Sequence, residues 1–518
     1  MKSSVLLTVC GVVQGVGFRP FAAGIAEEMG LSGYVRNKGG FVEILLSAGQ
    51  RAVDDYIHRL CIEKPFGAEI QRIEKSFSEK WVSGGFSIIG SEPYEKTPVL
   101  PPDFSVCEDC LKEMRDPFNR RHGYPFISCT ACGPRYSIMN RIPYDRENTV
   151  MNYFSLCRQC DTEYRRPTRR RHAQTIACHD CGPQLIWRQR KGEVLVREEA
   201  LQKAIAVLKG GGIIAVKGIG GYQYVCSPYR EDSVQKLRML KGREKKPFAV
   251  MFPNISMIEK ECVLSEREQA LLESPAKPIV LLEKKKDDFV FGVCGESRFV
   301  GAFLPNTPLH VLLLEECGEL IVTSANRSGE ILCFTDEQME SEVSELLDGM
   351  LYHHREIVTP LDDSVLRVSD KHNKMIRRSR GYVPLPVLLP QTAKCDILAA
   401  GGDLKAVFCL VREERAYLSQ YFGDMETVSV QNTYQKTVSH MEQLFHISPK
   451  VIACDLHPSY YTVQLAEKKK LPLVRIQHHH AHIASVIAEH HMKGNVLGIA
   501  FDGTGYGADG TIWGGEIL

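Results

Sequence analysis

Eight cysteines between Cys107 and Cys181 stand as four Cys-x-x-Cys pairs: Cys107/Cys110, Cys129/Cys132, Cys157/Cys160 and Cys178/Cys181. Such a turn presents two thiolates from one knuckle, and Zn²⁺, which has no geometric preference of its own, accepts four of them. The intervals between pairs are 18, 24 and 17 residues. The second and fourth pairs both continue as Cys-Gly-Pro (Gly133-Pro134, Gly182-Pro183), so the unit is duplicated. Two four-cysteine zinc centres are expected, most simply from consecutive pairs, with interleaved pairing open. Disulfides of a secreted chain are the alternative. Against them, ten further cysteines are scattered without rhythm, which suits a reducing cytoplasm.

Other stretches fit phosphate or metal chemistry. Gln14-Gly15-Val16-Gly17-Phe18-Arg19-Pro20 precedes a helical pattern through Phe21, Ile25 and Met29, closed by Gly30. That turn brings free backbone N–H groups and Arg19 to a helix N-terminus, an anion site suited to phosphate. A strand at 213–216 ends in Lys217-Gly218-Ile219-Gly220-Gly221, which can hold phosphates at a spacing that is not a P-loop. Gln477-His478-His479-His480-Ala481-His482 follows a strand at 473–476. If it turns helical, His478 and His482 share a face at metal-ligand spacing, although a solvated cluster fits the same residues. Asp502 ends a strand at 496–501, before Gly503-Thr504-Gly505. Two histidines, a carboxylate and phosphate oxygens make a coordination set for Fe, Zn or Mn. Asp362-Asp363 is a candidate Mg²⁺ seat, with a solvated turn preferred. The run Arg165-Arg166-Pro167-Thr168-Arg169-Arg170-Arg171-His172 reads first as a solvated loop, then as a phosphate or nucleotide contact, then as an RNA contact. His172 and His179 lie near the last pair, but eight thiolates complete two sites without them.

These residues need elements to position them. A length of 518 residues predicts about three to five domains. Apolar content of 44% and a net charge of +1 describe a globular chain with no global pull towards nucleic acid or anionic membrane. No apolar run is long enough to span a bilayer. The start resembles a short lipoprotein signal, but Val9 stands where a small residue is needed before Cys10, so a buried strand is expected. Residues 1–92 read as strand–helix–strand–strand–helix–strand, a ferredoxin-like α+β head. Its middle strands, 31–35 and 41–46, flank the turn Asn37-Lys38-Gly39-Gly40. Pro98, Pro101 and Pro102 make a stiff linker into the cysteine array, 98–190, where missing periodicity suggests that metal specifies the fold rather than core. Residues 196–388 read as an α/β domain, with a helix at 198–209 and strands at 213–216 and 320–322. Residues 394–518 begin a second nucleotide fold, with a long helix to about 445.

Particular motifs carry resemblances. Val13-Gln14-Gly15-Val16-Gly17-Phe18-Arg19, followed by Gly33-Tyr34-Val35-Arg36-Asn37, resembles the acylphosphatase signature. This implies that Arg19 binds the phosphoryl group and Asn37 orients the attacking water. The Lys217 turn, Lys241-Gly242-Arg243-Glu244-Lys245, Thr323-Ser324-Ala325-Asn326 and Arg377-Arg378-Ser379-Arg380-Gly381 together resemble the YrdC/Sua-type family, which makes carbamoyl-type adenylates from ATP. This implies that Lys217, Arg243, Lys245, Ser324 and Asn326 line the nucleotide and acyl-phosphate site, with Mg²⁺ accompanying ATP. Cations there suit the charge developing on displaced pyrophosphate. The last part resembles the TsaD-type carbamoyltransferase branch of the actin-like ATPases, implying His478, His482 and Asp502 as ligands of a divalent metal. That family continues into a second lobe with a further acidic ligand, so a transfer site ahead of Leu518 is expected to be incomplete.

In this order the four parts resemble the HypF family of NiFe-hydrogenase maturation carbamoyltransferases. The resemblance implies hydrolysis of carbamoyl phosphate to carbamate in the head and formation of carbamoyl adenylate from ATP in the YrdC-like domain. The last domain then transfers the carbamoyl group to the C-terminal cysteine of the partner HypE, the precursor of the cyanide ligands. A zinc-ribbon protein of threonylcarbamoyl-adenylate-type tRNA modification is the rival reading. Near-neutral charge and the phosphatase-like head argue against it.

Overall fold

Buried Val5, Leu7 and Val9 alternate with half-buried Leu6, Thr8 and Cys10, and residues Ser4–Val12 form the first strand. The computed structural model describes residues 4–38, 41–65, 67–91, 99–189, 192, 194–285, 288–342, 346–370 and 372–518. Gly39, Gly40 and Pro98 of the expected turn and linker lie outside these. The chain divides into two compact units, Met1–Ser328 with Leu332–Tyr382, and Gly329–Ile331 with Val383–Leu518.

In the first unit, Ser4–Val12 lies between Glu69–Ser78 and Phe41–Ser47, and the sheet continues through Ser32–Lys38 to Phe86–Ile88. The first four strands pair antiparallel, as a ferredoxin-like sheet should, and Phe86–Ile88 adds a parallel edge. Helices Phe18–Glu28 and Gln50–Ile62 are tied by the Tyr56 hydroxyl, which donates to the Ala22 carbonyl at 2.8 Å. Gly30, at φ 64°, ends the first helix where a side chain would be strained.

The cysteine region repeats a short helix directly after the first cysteine of a pair, Glu108–Arg115 after Cys107 and Arg158–Arg165 after Cys157. Two expectations need correction here. Pro101 and Pro102, expected in a stiff linker, are buried, and Asp103 beside them is fully buried. Its carboxylate accepts from the Arg135 N–H at 2.5 Å and the Ser137 hydroxyl at 2.8 Å. Nor does metal alone specify the array. Val106, Leu111, Met114, Phe126, Ile127 and Met151 share one core with Trp187, Leu201, Leu208 and Ile214 of the following domain.

That domain is built on an eleven-stranded mixed sheet whose centre runs Ala249–Met251, Leu320–Ser324, Tyr222–Cys226, Ile214–Lys217, Gly349–Tyr352. These central strands are largely buried on both faces. Ile214 and Val216 point to the core shared with the cysteine region, while Ala215, Tyr222 and Tyr224 point to a second core with Phe248 and Phe252. Arg197–Lys209 buries Ala200, Leu201, Ala204, Ile205 and Leu208, and the chain leaves it through Gly211 at φ 86°.

The second unit holds a six-stranded sheet ordered Val387–Leu388, Arg415–Leu418, Cys409–Arg412, Ile397–Ala399, Val451–Asp455, Leu473–Ile476. The long helix Val428–Phe445 is capped by the Thr427 side chain accepting from the Val430 N–H. The expected strand at 496–501 is corrected to Ile499–Ala500, paired with Glu516–Ile517 and not with the six-stranded sheet. Leu497, Ile499 and Phe501 are accordingly exposed. Among the described residues, no helix is long and apolar enough to cross a membrane.

Candidate functional site

The head's glycine turn is left-handed at Gly15 (φ 66°) and Gly17 (φ 76°), which frees backbone N–H groups at the start of the Phe18–Glu28 helix. Arg19 and Asn37 meet over it. With its carbonyl turned inward, the Asn37 amide accepts from Arg19 Nε at 3.2 Å and Nη2 at 3.3 Å. The outer edge of the guanidinium is held by groups outside the acylphosphatase motif. Nη2 lies 2.8 Å from Asp145 Oδ1, Nη1 donates to Ser91 Oγ at 3.2 Å, and Ser91 donates to Asp145 Oδ2 at 2.6 Å.

The cysteine region closes this cavity, with Thr130, Arg135, Tyr144, His172 and Gln174 facing Gly15, Arg19 and Asn37. A Cβ on Gly17 would come within 2.8 Å of Thr130. Buried Arg135 ties the two parts together, donating to the Gly15 carbonyl at 2.5 Å and to those of Cys132, Pro134 and Thr130 at 2.9–3.0 Å. Burial, with Arg19 nearby, pushes His172 down to about 4, so its imidazole is neutral at pH 7.

The eight thiols assemble as Cys107/Cys110/Cys129/Cys132 and Cys157/Cys160/Cys178/Cys181. Consecutive pairing is therefore observed and interleaving is not. Four sulfurs about 2.3 Å from a central Zn²⁺ at tetrahedral angles stand about 3.8 Å apart. Here the Sγ···Sγ separations are 3.6–3.7 Å in the first cluster and 3.7–3.8 Å in the second, so both donor sets fit zinc. Guanidinium groups cross between the repeats. Arg120 reaches Cys178 Sγ at 3.0 Å and Cys160 Sγ at 3.3 Å, while Arg169 reaches Cys110 Sγ at 3.2 Å. The basic run is solvated over Arg165–Thr168 as expected, but its second half is corrected. Arg169 and Arg170 pair with Glu113, and Arg171 with Glu27.

Ser324 and Asn326 meet at the end of Leu320–Ser324, with Ser324 Oγ donating to Asn326 Oδ1 at 2.7 Å. The cation beside them is Lys241, which the motif reading passed over. Its buried ammonium donates to the Ser324 carbonyl, to the Asn326 carbonyl at 3.0 Å and to Asn326 Oδ1 at 3.2 Å. Burial, reinforced by Arg243, brings it down to about 7. Arg243 lies over the Phe248 ring at 4.9 Å, and burial lowers it to about 10.

Lys245 is exposed and makes no hydrogen bond or ion pair among the described residues. Lys217 points elsewhere, with its Nζ 2.5 Å from Asp336 Oδ1 and 3.0 Å from the His353 carbonyl, against a cavity shared with the cysteine region. Asp362 and Asp363 are not a solvated turn. Asp362 pairs with Arg377, and buried Asp363 pairs with Arg380 at 2.7 Å and accepts from Gln223 at 2.9 Å. With Ser324 they line a cleft along Gly218–Gly221.

In the second unit His478–Glu489 is a helix, and His478 Nε2 and His482 Nε2 each lie 3.1 Å from Asp502 Oδ2. Two donors about 2.1 Å from one metal and near a right angle are that far apart, so the set fits a divalent cation. Sequence reasoning missed Asp455, whose Oδ2 is 2.7 Å from His478 Nδ1. It fixes the ring with Nε2 aimed at the cluster. The strands Val451–Asp455 and Leu473–Ile476 run parallel and end side by side, and this pairing brings Asp455 to His478.

Four family models match the chain: acylphosphatase at residues 5–88, the HypF finger at 106–139 and 156–187, the Sua5/YciO/YrdC model (described as telomere recombination) at 206–379, and the HypF Kae1-like domain at 392–489. The carbamoyltransferase HypF of Synechocystis is 42% identical over 100% of this chain and 68% of that protein. The probable carbamoyltransferase HypF of Methanocaldococcus jannaschii is 37% identical over 100% and 69%. A crystal structure of full-length HypF in the phosphate- and nucleotide-bound form superposes with a TM-score of 0.96 at 39% identity, over 100% of this chain and 68% of that one. The chain belongs to the HypF carbamoyltransferase family.

Proposed function

We propose that the chain carries out carbamoyl transfer for hydrogenase maturation in three steps. At the head, carbamoyl phosphate sits on the N–H groups of the Gly15–Arg19 turn and on Arg19. Water held by Asn37 attacks the phosphorus, its P–O bond to the carbamate oxygen breaks, and carbamate and phosphate result. At the Ser324/Asn326 cluster, Lys241 and Arg243 hold the phosphates of ATP, with Mg²⁺, while a carbamate oxygen attacks the α-phosphorus and pyrophosphate leaves. Where the family's second lobe completes the last domain, the C-terminal cysteine thiolate of HypE attacks the carbamoyl carbon and AMP departs, leaving a thiocarbamate. A divalent metal held there by His478, His482 and Asp502 supplies Lewis acidity. Residues of the chain do the rest, with Asp455 orienting His478. The reducing cytoplasm keeps the zinc thiols available.

One observation carries this reading. The head cavity and the cavity beside Lys217 lie against neighbouring residues of one segment, Thr130 and Arg135 on one side, Gly133 and Pro134 on the other. Carbamate is short-lived in water, and this arrangement suits an enclosed passage from the first site to the second. The test is pyrophosphate release from ATP. It should require carbamoyl phosphate and collapse in Arg19→Ala and in Lys241→Ala. Release driven instead by threonine and bicarbonate would establish the tRNA-modification reading.

A further inference from the structure

The Arg19 guanidinium is gripped along two edges. Asn37 takes the side edge, at Nε and Nη2, while Asp145 and Ser91 take the end edge, at Nη2 and Nη1. These partners differ in kind. Asn37 is neutral, so an anionic phosphoryl oxygen can take its place, whereas the charge-assisted bond to the Asp145 carboxylate is the stronger one. Ser91 closes a ring of hydrogen bonds by donating to the second carboxylate oxygen at 2.6 Å. With 11% and 20% of their side chains exposed, Arg19 and Asp145 are shielded enough to keep this geometry, unlike an ion pair in open solvent.

Asp145 is held in turn. Its N–H donates to the Pro143 carbonyl at 2.8 Å, and its carbonyl accepts from the Asn148 N–H at 2.9 Å. Next to it, Arg146 donates to the carbonyls of Gln174, Ile176 and Phe154 at 2.6–3.0 Å. The carboxylate thus stands on the second cysteine repeat, not on the head. An ion pair that merely clasped the two parts would be redundant. Arg135 already reaches the Gly15 carbonyl, and Arg171 pairs with Glu27 at 3.0 Å.

We propose that Asp145, with Ser91, is a positioning residue for hydrolysis of the acyl phosphate at the head. It fixes the end edge of Arg19 so that the side edge is presented to the phosphoryl group. This assignment rests on the head reaction proposed above. No bond or proton passes through Asp145, which acts through Arg19 alone. A carboxylate beside an anion site also offsets part of the arginine's charge, so the pair governs geometry more than affinity.

The experiment measures phosphate release from carbamoyl phosphate by the full chain loaded with zinc. In Asp145→Ala, kcat is expected to fall about tenfold or more while KM stays within about twofold. Asp145→Asn keeps an acceptor for Nη2 without the charge and should fall about threefold, carrying the test by itself if the alanine variant does not fold. Glu27→Ala removes the partner of Arg171, another tie between the parts, and should leave kcat within about twofold. An unchanged kcat in both folded Asp145 variants, a loss carried by KM alone, or an equal fall in Glu27→Ala each overturns the proposal. Crystals of the wild-type chain and of a folded Asp145 variant, each with inorganic phosphate, give a reading independent of rate. A guanidinium turned out of its wild-type plane supports the role, and an unchanged Arg19 overturns it. If the wild-type chain releases no phosphate from carbamoyl phosphate, the proposed function fails, and the guanidinium orientation still decides whether Asp145 positions Arg19.

Discussion

Cys110→Ser and Cys160→Ser each remove one thiolate from one zinc cluster, yet the structure predicts unequal consequences. A structural zinc contributes about 10–16 kcal/mol of apparent binding free energy, against about 5–15 kcal/mol for the whole stability of a typical domain. The first cluster is welded into the large core, where Cys110, Cys129 and Cys132 pack with Trp187, Leu201, Leu208 and Ile214. The second sits in a satellite of Cys160, Ala173, Ile176 and Cys178. Losing the first zinc is therefore transmitted to the main sheet. For a unit of this size, about 10 kcal/mol corresponds to a fall in the main transition on the order of 10 °C. Losing the second should shift that transition by no more than about 3 °C and instead open residues 157–181 to protease. The small shift is not zero, because Arg120 bonds to Cys157, Cys160 and Cys178 from the first repeat. Scanning calorimetry with native mass spectrometry, to confirm one zinc per variant, makes the measurement. Equal shifts, or a larger one in Cys160→Ser, would refute the reasoning.

Two further outcomes follow from the buried groups. Lys241 loses its proton at about 7 in the folded chain, whereas the unfolded chain keeps it to about 10.4. Between these values the unfolded state binds more protons, so stability rises with pH across that window. If the ammonium holds nucleotide phosphate, its charged fraction falls from about ten-elevenths at pH 6 to one-eleventh at pH 8, and KM for ATP should rise about tenfold. A flat wild-type profile, or the same rise in Lys241→Arg, would count against that role. Asp455→Ala removes the acceptor at His478 Nδ1 and should weaken divalent-metal binding about 10–100-fold by chelator competition. Unchanged affinity would show that the contact orients nothing.

Much of the fold was legible because its signals are local. Alternation marks Ser4–Val12, and the cysteine spacing gives two clusters whose consecutive pairing the side chains settle. The strand expected at 496–501 failed because an apolar run does not say whether a sheet edge is available to it. The linker reading failed for a related reason: prolines stiffen a chain wherever it goes, and Pro101 is packed against Gly15. Arg169 and Arg170 looked solvated because Glu113, their partner, lies more than fifty residues earlier. Lys241 and Asp455 were passed over for similar reasons. Lys241 was visible in a quoted motif, but the role of each depends on a residue that only the folded sheet brings near.

The duplicated zinc unit does more than join the domains on either side. A wall between two cavities must hold irregular backbone in place, and irregular backbone lacks the ladder of hydrogen bonds that stiffens a strand. Residues 129–135 are such a wall. Its first turn is fixed by Cys129 and Cys132, and its exit by Arg135, whose guanidinium caps four carbonyls of the wall and then reaches the Gly15 carbonyl in the head's phosphate turn. Zinc and one buried arginine thus set the position of the glycine turn that precedes Arg19. In the proposed reaction the metal takes part in no bond-making step; it sets the distance between the head cavity and the cavity beside Lys217.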